Sequence, residues 1–253
     1  MILQAHRGDS KRFPENTMSA FEAAYREGYG IIELDMKFTS DGRCVILHDF
    51  TLARTARNHD GSPLEKDVKI ADICYHELAN YDFGLYMSES FKGEKIPTLD
   101  QVLDFACDKK IKLKFDNVLQ RFNDEQIDSF FDSVEDHYED GIFGFTSNDL
   151  SFIERIVTRF PTCDIHYDGA VSEETLNELK KIAPKNPLYI WLPLNKMSWL
   201  EYPAADKDQV ELAKKYGLVG LWIITDPSEL SRCRELGADV IETDGALTPE
   251  EIL

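Results

Sequence analysis

The chain has 253 residues, 43% of them hydrophobic and 30% charged, with a formal net charge of −19. That length buries a large core and allows one large domain or two small ones. The acidic balance and the lack of a basic stripe exclude a nucleic-acid binder, and no run is apolar for long enough to span a bilayer.

In chain order, Ile2 to Ala5 reads as a strand, and Thr17 to Glu27 as a helix with Met18, Phe21, Ala24 and Tyr25 on one face. Ile31 to Phe38 reads as a strand. A Ser-Asp-Gly turn follows at Ser40 to Gly42, then a strand at Cys44 to Leu47. Residues 49–96 are too long for one connection and carry a weak helical pattern from Ile70 to Leu78. They read as a cap inserted over one end of the fold. Thr98 caps a helix running to about Lys109, and Ile111 to Phe115 is a strand. Further strands are expected at Ile142 to Phe145, Asp164 to Tyr167, Leu188 to Leu192, Leu218 to Ile224 and Val240 to Thr243. Helices fit between them at Asp149 to Arg159, Glu173 to Ile182, Asp206 to Tyr216 and Pro227 to Leu236.

Strand and helix alternating to the chain end imply a parallel sheet covered on both faces. The number of strands and the length suit one α/β domain over residues 1–253, a closed (β/α)8 TIM barrel with the small cap inserted after the strand ending at His48. The runner-up, an open doubly wound sheet, needs a glycine-rich turn after the first strand, where Gly8 stands alone. Met1 to Ala5 has no basic n-region and His6-Arg7 cut the apolar run short, so no signal peptide and a cytoplasmic location are expected. Cys44, Cys74, Cys107, Cys163 and Cys233 are scattered, without a CxxC pair. They are expected as reduced thiols in or near the core rather than as disulfides or zinc ligands.

In a barrel, reactive groups gather at the C-terminal ends of the strands. His6-Arg7 ends the first strand, and His48 ends the third run. Glu33 and Asp35 are two residues apart in the second strand and so share a face, as do Lys114 and Asp116 in the next. A single histidine at a strand end is more often structural than catalytic. Glu33 and Asp35, however, interrupt Ile31, Ile32, Leu34 and Met36, a run apolar on both sides. Burying two like charges there is costly without a cation or donor beside them.

The residues Ala5-His6-Arg7-Gly8, Pro14-Glu15-Asn16-Thr17, Glu33-Leu34-Asp35, Asp41-Gly42, His48-Asp49 and Arg54-Thr55 are similar, in order and spacing, to the glycerophosphodiester phosphodiesterase family. Ile96-Pro97-Thr98-Leu99 and Gly237-Ala238-Asp239 with Thr243-Asp244 extend the likeness, while residues 117–216 match weakly. The resemblance implies a TIM barrel, His6 and His48 as general acid and base, and Arg7 on the substrate phosphate. It also implies a divalent metal, Mg2+ or Ca2+, held by carboxylates that include Glu33 and Asp35. The family chemistry is attack on phosphorus by the neighbouring glycerol hydroxyl, giving a cyclic phosphate that water opens. The implied partner is a small-molecule phosphodiester, with no nucleic acid and no stable membrane insertion; the oligomeric state is left open.

The chain departs from the family where a Glu-x-Lys pair is usual, reading Lys114-Phe115-Asp116. Asp116 then completes the metal site while Lys114 reaches the phosphate. Alternatively the Lys114 ammonium takes the metal's place between Glu33 and Asp35, as a basic side chain does in the related bacterial phosphatidylinositol-specific phospholipases C. A second departure follows Trp222, a residue expected to stack on the substrate's alcohol or to pack in the core. His166 and Asp168 share a strand face, with a core role the stronger reading for His166. Trp191, Trp199 and Tyr202 form either an aromatic rim or plain packing. Two classes of function remain: an enzyme cleaving a phosphodiester, by hydrolysis or by stopping at the cyclic phosphate, and an inactive barrel that binds a phosphate ester. The paired histidines favour the enzyme.

Overall fold

A computed structural model describes residues 1–198 and 200–252; Trp199 lies outside the described residues. Ten strands form in chain order: β1 (Ile2–His6), β2 (Ile31–Leu34), β3 (Met36–Phe38), β4 (Cys44–Ile46), β5 (Lys112–Phe115), β6 (Phe143–Ser147), β7 (Asp164–Tyr167), β8 (Leu188–Pro193), β9 (Leu218–Ile224) and β10 (Val240–Thr243). Eight of them close into a parallel barrel in the order β1-β10-β9-β8-β7-β6-β5-β2, with helices between strands. This is the TIM barrel that the alternation implies.

One strand is not where the pattern puts it. The run Cys44 to Leu47 is not a barrel strand: β4 pairs antiparallel with β3, and the barrel passes from β2 directly to β5. The physical reason is connection length. A parallel neighbour needs a crossover of a dozen or more residues, and only a tight turn separates β3 from β4. Gly42 takes φ +77° in that turn, and the Thr39 hydroxyl hydrogen-bonds Asp41 at 2.6 Å. His48 therefore follows a side hairpin. It is carried to the barrel mouth because Leu47 N–H donates to the Asp35 carbonyl at 3.0 Å.

The helices begin where their caps dictate. Thr17 caps α1 (Met18–Glu27), which ends on Gly28 in the left-handed conformation. Thr98 and Gln101 form a reciprocal capping box on α2 (Leu99–Lys109). The unassigned stretch after β5 holds α3 (Asp124–Asp136), which buries Ile127, Phe130, Phe131 and Val134. Their spacing is the helical one. Asp149 caps α4 (Leu150–Arg159), and α5 (Glu173–Ile182) matches its expected bounds. Asp206 caps α6 (Lys207–Ala213), a turn shorter than expected, and α7 (Leu230–Leu236) follows a 3-10 turn at Pro227–Glu229. Phe115 and Phe145 point outward from the sheet and pack on Phe130, Phe131 and Phe160, while Phe143 packs on Phe115 and Tyr138.

The opposite faces of the same strands fill the barrel, and they are polar. Lys112 hydrogen-bonds Asp164 and lies 3.3 Å from the Tyr189 hydroxyl. Above them His166 stacks on Tyr189 with ring centroids 4.4 Å apart and accepts a hydrogen bond from Trp191 Nε1 at 2.9 Å. Two glycines make room for these rings. A Cβ on Gly144 would stand 2.4 Å from His166 Nε2, and one on Gly220 would stand 2.4 Å from the Trp191 ring. His166 is thus a core residue.

Residues 49–96 form short 3-10 turns at Ile70–Asp72, Tyr75–Asn80 and Glu89–Phe91. They close their own small core of Leu52, Ile70, Leu78, Phe83 and Ile96, with Val45 and Leu47 from the hairpin side. Asp82 organises this segment, accepting backbone N–H bonds from Gly84 and Leu85, each at 2.9 Å, and from Gly93 at 2.6 Å. Cys44, Cys163 and Cys233 are buried, Cys74 and Cys107 partly so, and all five thiols are free. No helix among the described residues is long and apolar enough to cross a membrane.

Candidate active site

Strand register builds the site layer by layer. Gln4 lies beside Glu242, His6 beside Glu33, and Glu33 beside Lys114. Residues level with one another on neighbouring strands point the same way, so these side chains all turn into the barrel. A cavity of about 460 Å³ opens above them, lined by His6, Arg7, Glu33, Asp35, His48, Lys114, Asp116, Asp168, Trp222 and Glu242, among others. His6, Arg7, Glu33, Asp35, His48, Lys114, Asp116 and Trp222, the residues expected from the sequence to carry the chemistry, all line this one space.

Glu33, Asp35 and Asp116 converge. One oxygen from each lies within 4.8 Å of the others. Burial pushes the Glu33 carboxyl well up, and Asp35 and Asp116 add to that shift. Burial also raises Asp116, with Asp35 the next cause. Burial acts on Asp35 in the same direction, but Arg7, His48 and the Asn16 amide outweigh it and hold Asp35 low. Three buried carboxylates this close repel one another unless a cation is shared among them, and an all-oxygen set suits a hard divalent ion. The donor set therefore fits a metal.

Lys114 does not sit among these carboxylates as their ion-pair partner. Its Nζ lies 3.1 Å from Glu242 Oε2 and 4.5 Å from the centre of the Trp191 ring. Burial alone would lower this ammonium; Glu242, then Glu33 and Asp116, reverse the effect and raise it. Glu242 also accepts a hydrogen bond from Gln4. Glu242 is the site residue that sequence reasoning missed. Its signal was present: a carboxylate inside Val240-Ile241-Glu242-Thr243 breaks an apolar strand as Glu33 does.

Arg7 occupies a left-handed backbone position at φ +59°, as does Asn16 at φ +57°. Such angles are uncommon outside glycine and are held here by specific bonds. Arg7 N–H donates to Glu33 Oε2 at 3.0 Å, and Asn16 Nδ2 donates to Asp35 Oδ2 at 2.8 Å. The Arg7 guanidinium lies 3.2 Å from Asp35 Oδ2 and 3.0 Å from Glu15 Oε1. Glu15 is gripped in turn by both terminal nitrogens of Arg54, at 2.5 and 2.7 Å. Arg54 Nε reaches Asp49 Oδ2 at 2.6 Å, and Asp49 Oδ1 lies 2.5 Å from His48 Nδ1. A continuous chain thus runs Arg7, Glu15, Arg54, Asp49, His48. It ties the guanidinium at the end of β1 to the imidazole beyond the hairpin. With Nδ1 engaged by Asp49, the Nε2 atom of His48 is left to the cavity.

Burial lowers the His6 imidazole; Glu242 opposes this, while Arg7 adds to it. Across the cavity, Asp168 is bonded through Oδ2 by Asn117 Nδ2, and its Oδ1 lacks a hydrogen-bond partner. Burial, then Asp116, pushes the Asp168 carboxyl up to about 6. Tyr202 hydroxyl donates to the Asp168 carbonyl at 2.7 Å, and Trp191, Tyr202 and Trp222 all line the cavity. His59 and His76 are exposed and His137 half-buried, away from the site.

The model of the glycerophosphoryl diester phosphodiesterase family matches residues 6–248. The chain belongs to that family. It is a family of phosphoric diester hydrolases, as its name states, and the resemblance read from the His6, Glu33 and His48 motifs holds over nearly the whole chain. A glycerophosphodiester phosphodiesterase of Caldanaerobacter subterraneus is 42% identical over 108 residues, which is 43% of this chain and 41% of that protein. YhdW of Bacillus subtilis is 28% identical over 258 residues and covers 96% of this chain and 94% of that protein. Among solved structures, an Oleispira antarctica phosphodiesterase in complex with the product sn-glycerol-3-phosphate superposes with a TM-score of 0.75 at 22% identity, covering 97% of this chain and 94% of that one. At that identity the likeness speaks for the barrel alone.

Proposed function

We propose that this chain hydrolyses a glycerophosphodiester or a related small phosphodiester. The observation that carries the reading is the convergence of His6, His48 and the Glu33, Asp35, Asp116 cluster in one cavity at the barrel mouth. A protein that only binds a phosphate ester has no need of two imidazoles beside buried carboxylates.

One imidazole takes the proton of the glycerol hydroxyl next to the phosphate, and that oxygen bonds to phosphorus. The bond to the second alcohol breaks as the other imidazole returns a proton to it, leaving a cyclic phosphate. Water then opens the ring with the two roles reversed. Imidazole serves either role near neutral pH. Asp49 on Nδ1 fixes the ring of His48 for this work, and the Nε2 atom exchanges the proton. Glu33, Asp35 and Asp116 would hold a divalent ion, Mg2+ or Ca2+, which would neutralise charge on the phosphoryl oxygens. Arg7 borders the same oxygens, with Lys114 behind them, and Trp222 packs against the alcohol. The segment 49–96 acts as the cap within a single domain, since it supplies the Asp49 and Arg54 that position His48. The solved relative holding sn-glycerol-3-phosphate supports a small-molecule substrate of this kind.

The test is release of free alcohol from a panel of glycerophosphodiesters by wild type, His6→Ala and His48→Ala. Each imidazole is expected to supply on the order of 100- to 10,000-fold. Wild type and both variants equally inactive across the panel would favour the binding protein. A single variant at the full wild-type rate would sink the paired mechanism.

A further inference from the structure

We infer that the site has a second subsite, built for a negatively charged group on the alcohol that leaves. This rests on the phosphodiesterase reading above and names the substrate class it favours. A phosphodiester has two arms, and two cavities meet at the metal-binding carboxylates. Beside the 460 Å³ cavity lies another of about 270 Å³, and Asp35, His48, Asp116, Asn117 and Arg121 line both. A phosphorus atom held at that shared wall extends one arm into each.

The second cavity differs from the first in which of its charges are free. Arg7 is bound by Glu15 and Asp35, and Lys114 by Glu242. Of the acids on the second cavity, Asp35 is held by Arg7 and Asp49 by Arg54 and His48, while Asp116 belongs to the carboxylate cluster that would share a metal ion. Two cations there are not ion-paired among the described residues. Lys37 is 2% exposed, and its Nζ donates only to the carbonyls of Met36 at 3.1 Å and Leu47 at 3.2 Å. Arg121 is exposed on the 3-10 turn Leu119–Arg121, with no side-chain partner. Asp35, Asp116 and Asp49 act on the Lys37 ammonium, but none is within ion-pair distance of it among the described residues, and a ligand anion in direct contact would offset more of the cost of its burial. Phe50, 53% exposed and stacked under Lys37 at 4.7 Å, gives the arm an apolar side.

A carboxylate or a phosphate on the leaving alcohol would meet these two groups, so the test separates them. Steady-state kinetics would compare bis(glycerophospho)glycerol, whose second arm bears a phosphate, and glycerophosphoserine, whose arm bears a carboxylate, with glycerophosphocholine and glycerophosphoglycerol. The expected result is a kcat/KM roughly 10-fold higher for at least one anionic diester than for glycerophosphoglycerol, carried mainly by KM, with glycerophosphocholine poorest. Arg121→Gln, an exposed change that spares folding, should bring that ratio to within about 3-fold of unity, and Lys37→Met should do the same if it folds. An active wild type without anionic preference, or a preference untouched by Arg121→Gln, overturns the subsite. Inactivity of wild type on all four diesters overturns the phosphodiesterase reading itself, and the subsite falls with it.

Discussion

Lys114 Nζ, on the strand next to the one that carries Glu33, reaches past β2 and β1 inside the barrel to lie 3.1 Å from Glu242 Oε2 on β10. The ammonium's ion pair among the described residues is therefore with the last barrel strand, while Glu33 and Asp116 of the carboxylate cluster act on it without pairing with it. Removing one member of a buried pair leaves the other charged and unpaired. Lys114→Met is expected to cost about 3–5 kcal/mol of stability. Lys114→Met combined with Glu242→Gln should cost clearly less than the two single changes summed. Urea unfolding of the four proteins checks this, and simple additivity would count against the pairing.

The carboxylate cluster predicts how activity answers chelation. Since Lys114 is occupied elsewhere, EDTA should abolish turnover and added Mg2+ or Ca2+ should restore it. Asp116→Asn should weaken the apparent metal affinity at least 10-fold, read as the metal concentration giving half-maximal rate. Full activity in protein shown by mass spectrometry to be metal-free would overturn this and return Lys114 to the role of substitute cation.

Arg54 grips Glu15 and Asp49 with three nitrogens, and through them holds Arg7 and His48. Arg54→Ala is expected to lower kcat by roughly 10- to 100-fold through misplacement of His48. Arg54→Lys should recover only part, because an ammonium cannot span both carboxylates in a fork. The discriminating measurement uses a diester with a p-nitrophenol leaving group, which departs with little need of a proton. If His48 is the acid, the Arg54→Ala defect should shrink there; an equal loss with both leaving groups argues for a general structural role.

Asp82 gives a pH prediction for the inserted segment. Burial pushes its carboxyl up, but N–H donors from Gly93, Gly84 and Leu85 outweigh that and hold it below the usual carboxylate range. A carboxyl depressed on folding adds stability above its unfolded pKa of about 3.9, and that stability is lost as pH falls through the folded value. The segment should loosen below about pH 4. Asp82→Ala, which strands three donors, should loosen it by several kcal/mol even at pH 7, on the order of 1–3 per unmet group. Amide exchange of residues 83–94 at the two pH values reads this directly.

The barrel was legible because its strands carry two signals at once, short apolar runs and regular helical spacers. The reading failed at Cys44 to Leu47 because an apolar run looks the same in a barrel as in a side hairpin. The three-residue turn at Ser40 to Gly42 held the answer, being too short for a parallel crossover. His6 was legible by its place at the end of the first strand, Asp116 by the face it shares with Lys114, and Glu33 and Asp35 as charges interrupting an apolar run. Glu242 carried the same signature and was passed over, because its meaning depends on Lys114, far away in sequence and adjacent only once the barrel closes. The Arg7 to His48 chain was not legible as a chain: all five members lie in turns and loops outside the strands and helices, and only the fold brings their side chains into line.

The small core of residues 49–96 has a thermodynamic consequence. It is separate from the large core between sheet and helices, so the segment can open as its own cooperative unit, at a lower free energy than the barrel. Asp49 and Arg54 travel with it, and His48 loses its orienting partner when it opens. Inactivation by denaturant should therefore run ahead of the loss of helical circular dichroism, with a gap between the two midpoints. In that gap the barrel stands intact while its chemistry is already switched off, and a ligand that binds only the closed unit would narrow it from one side only.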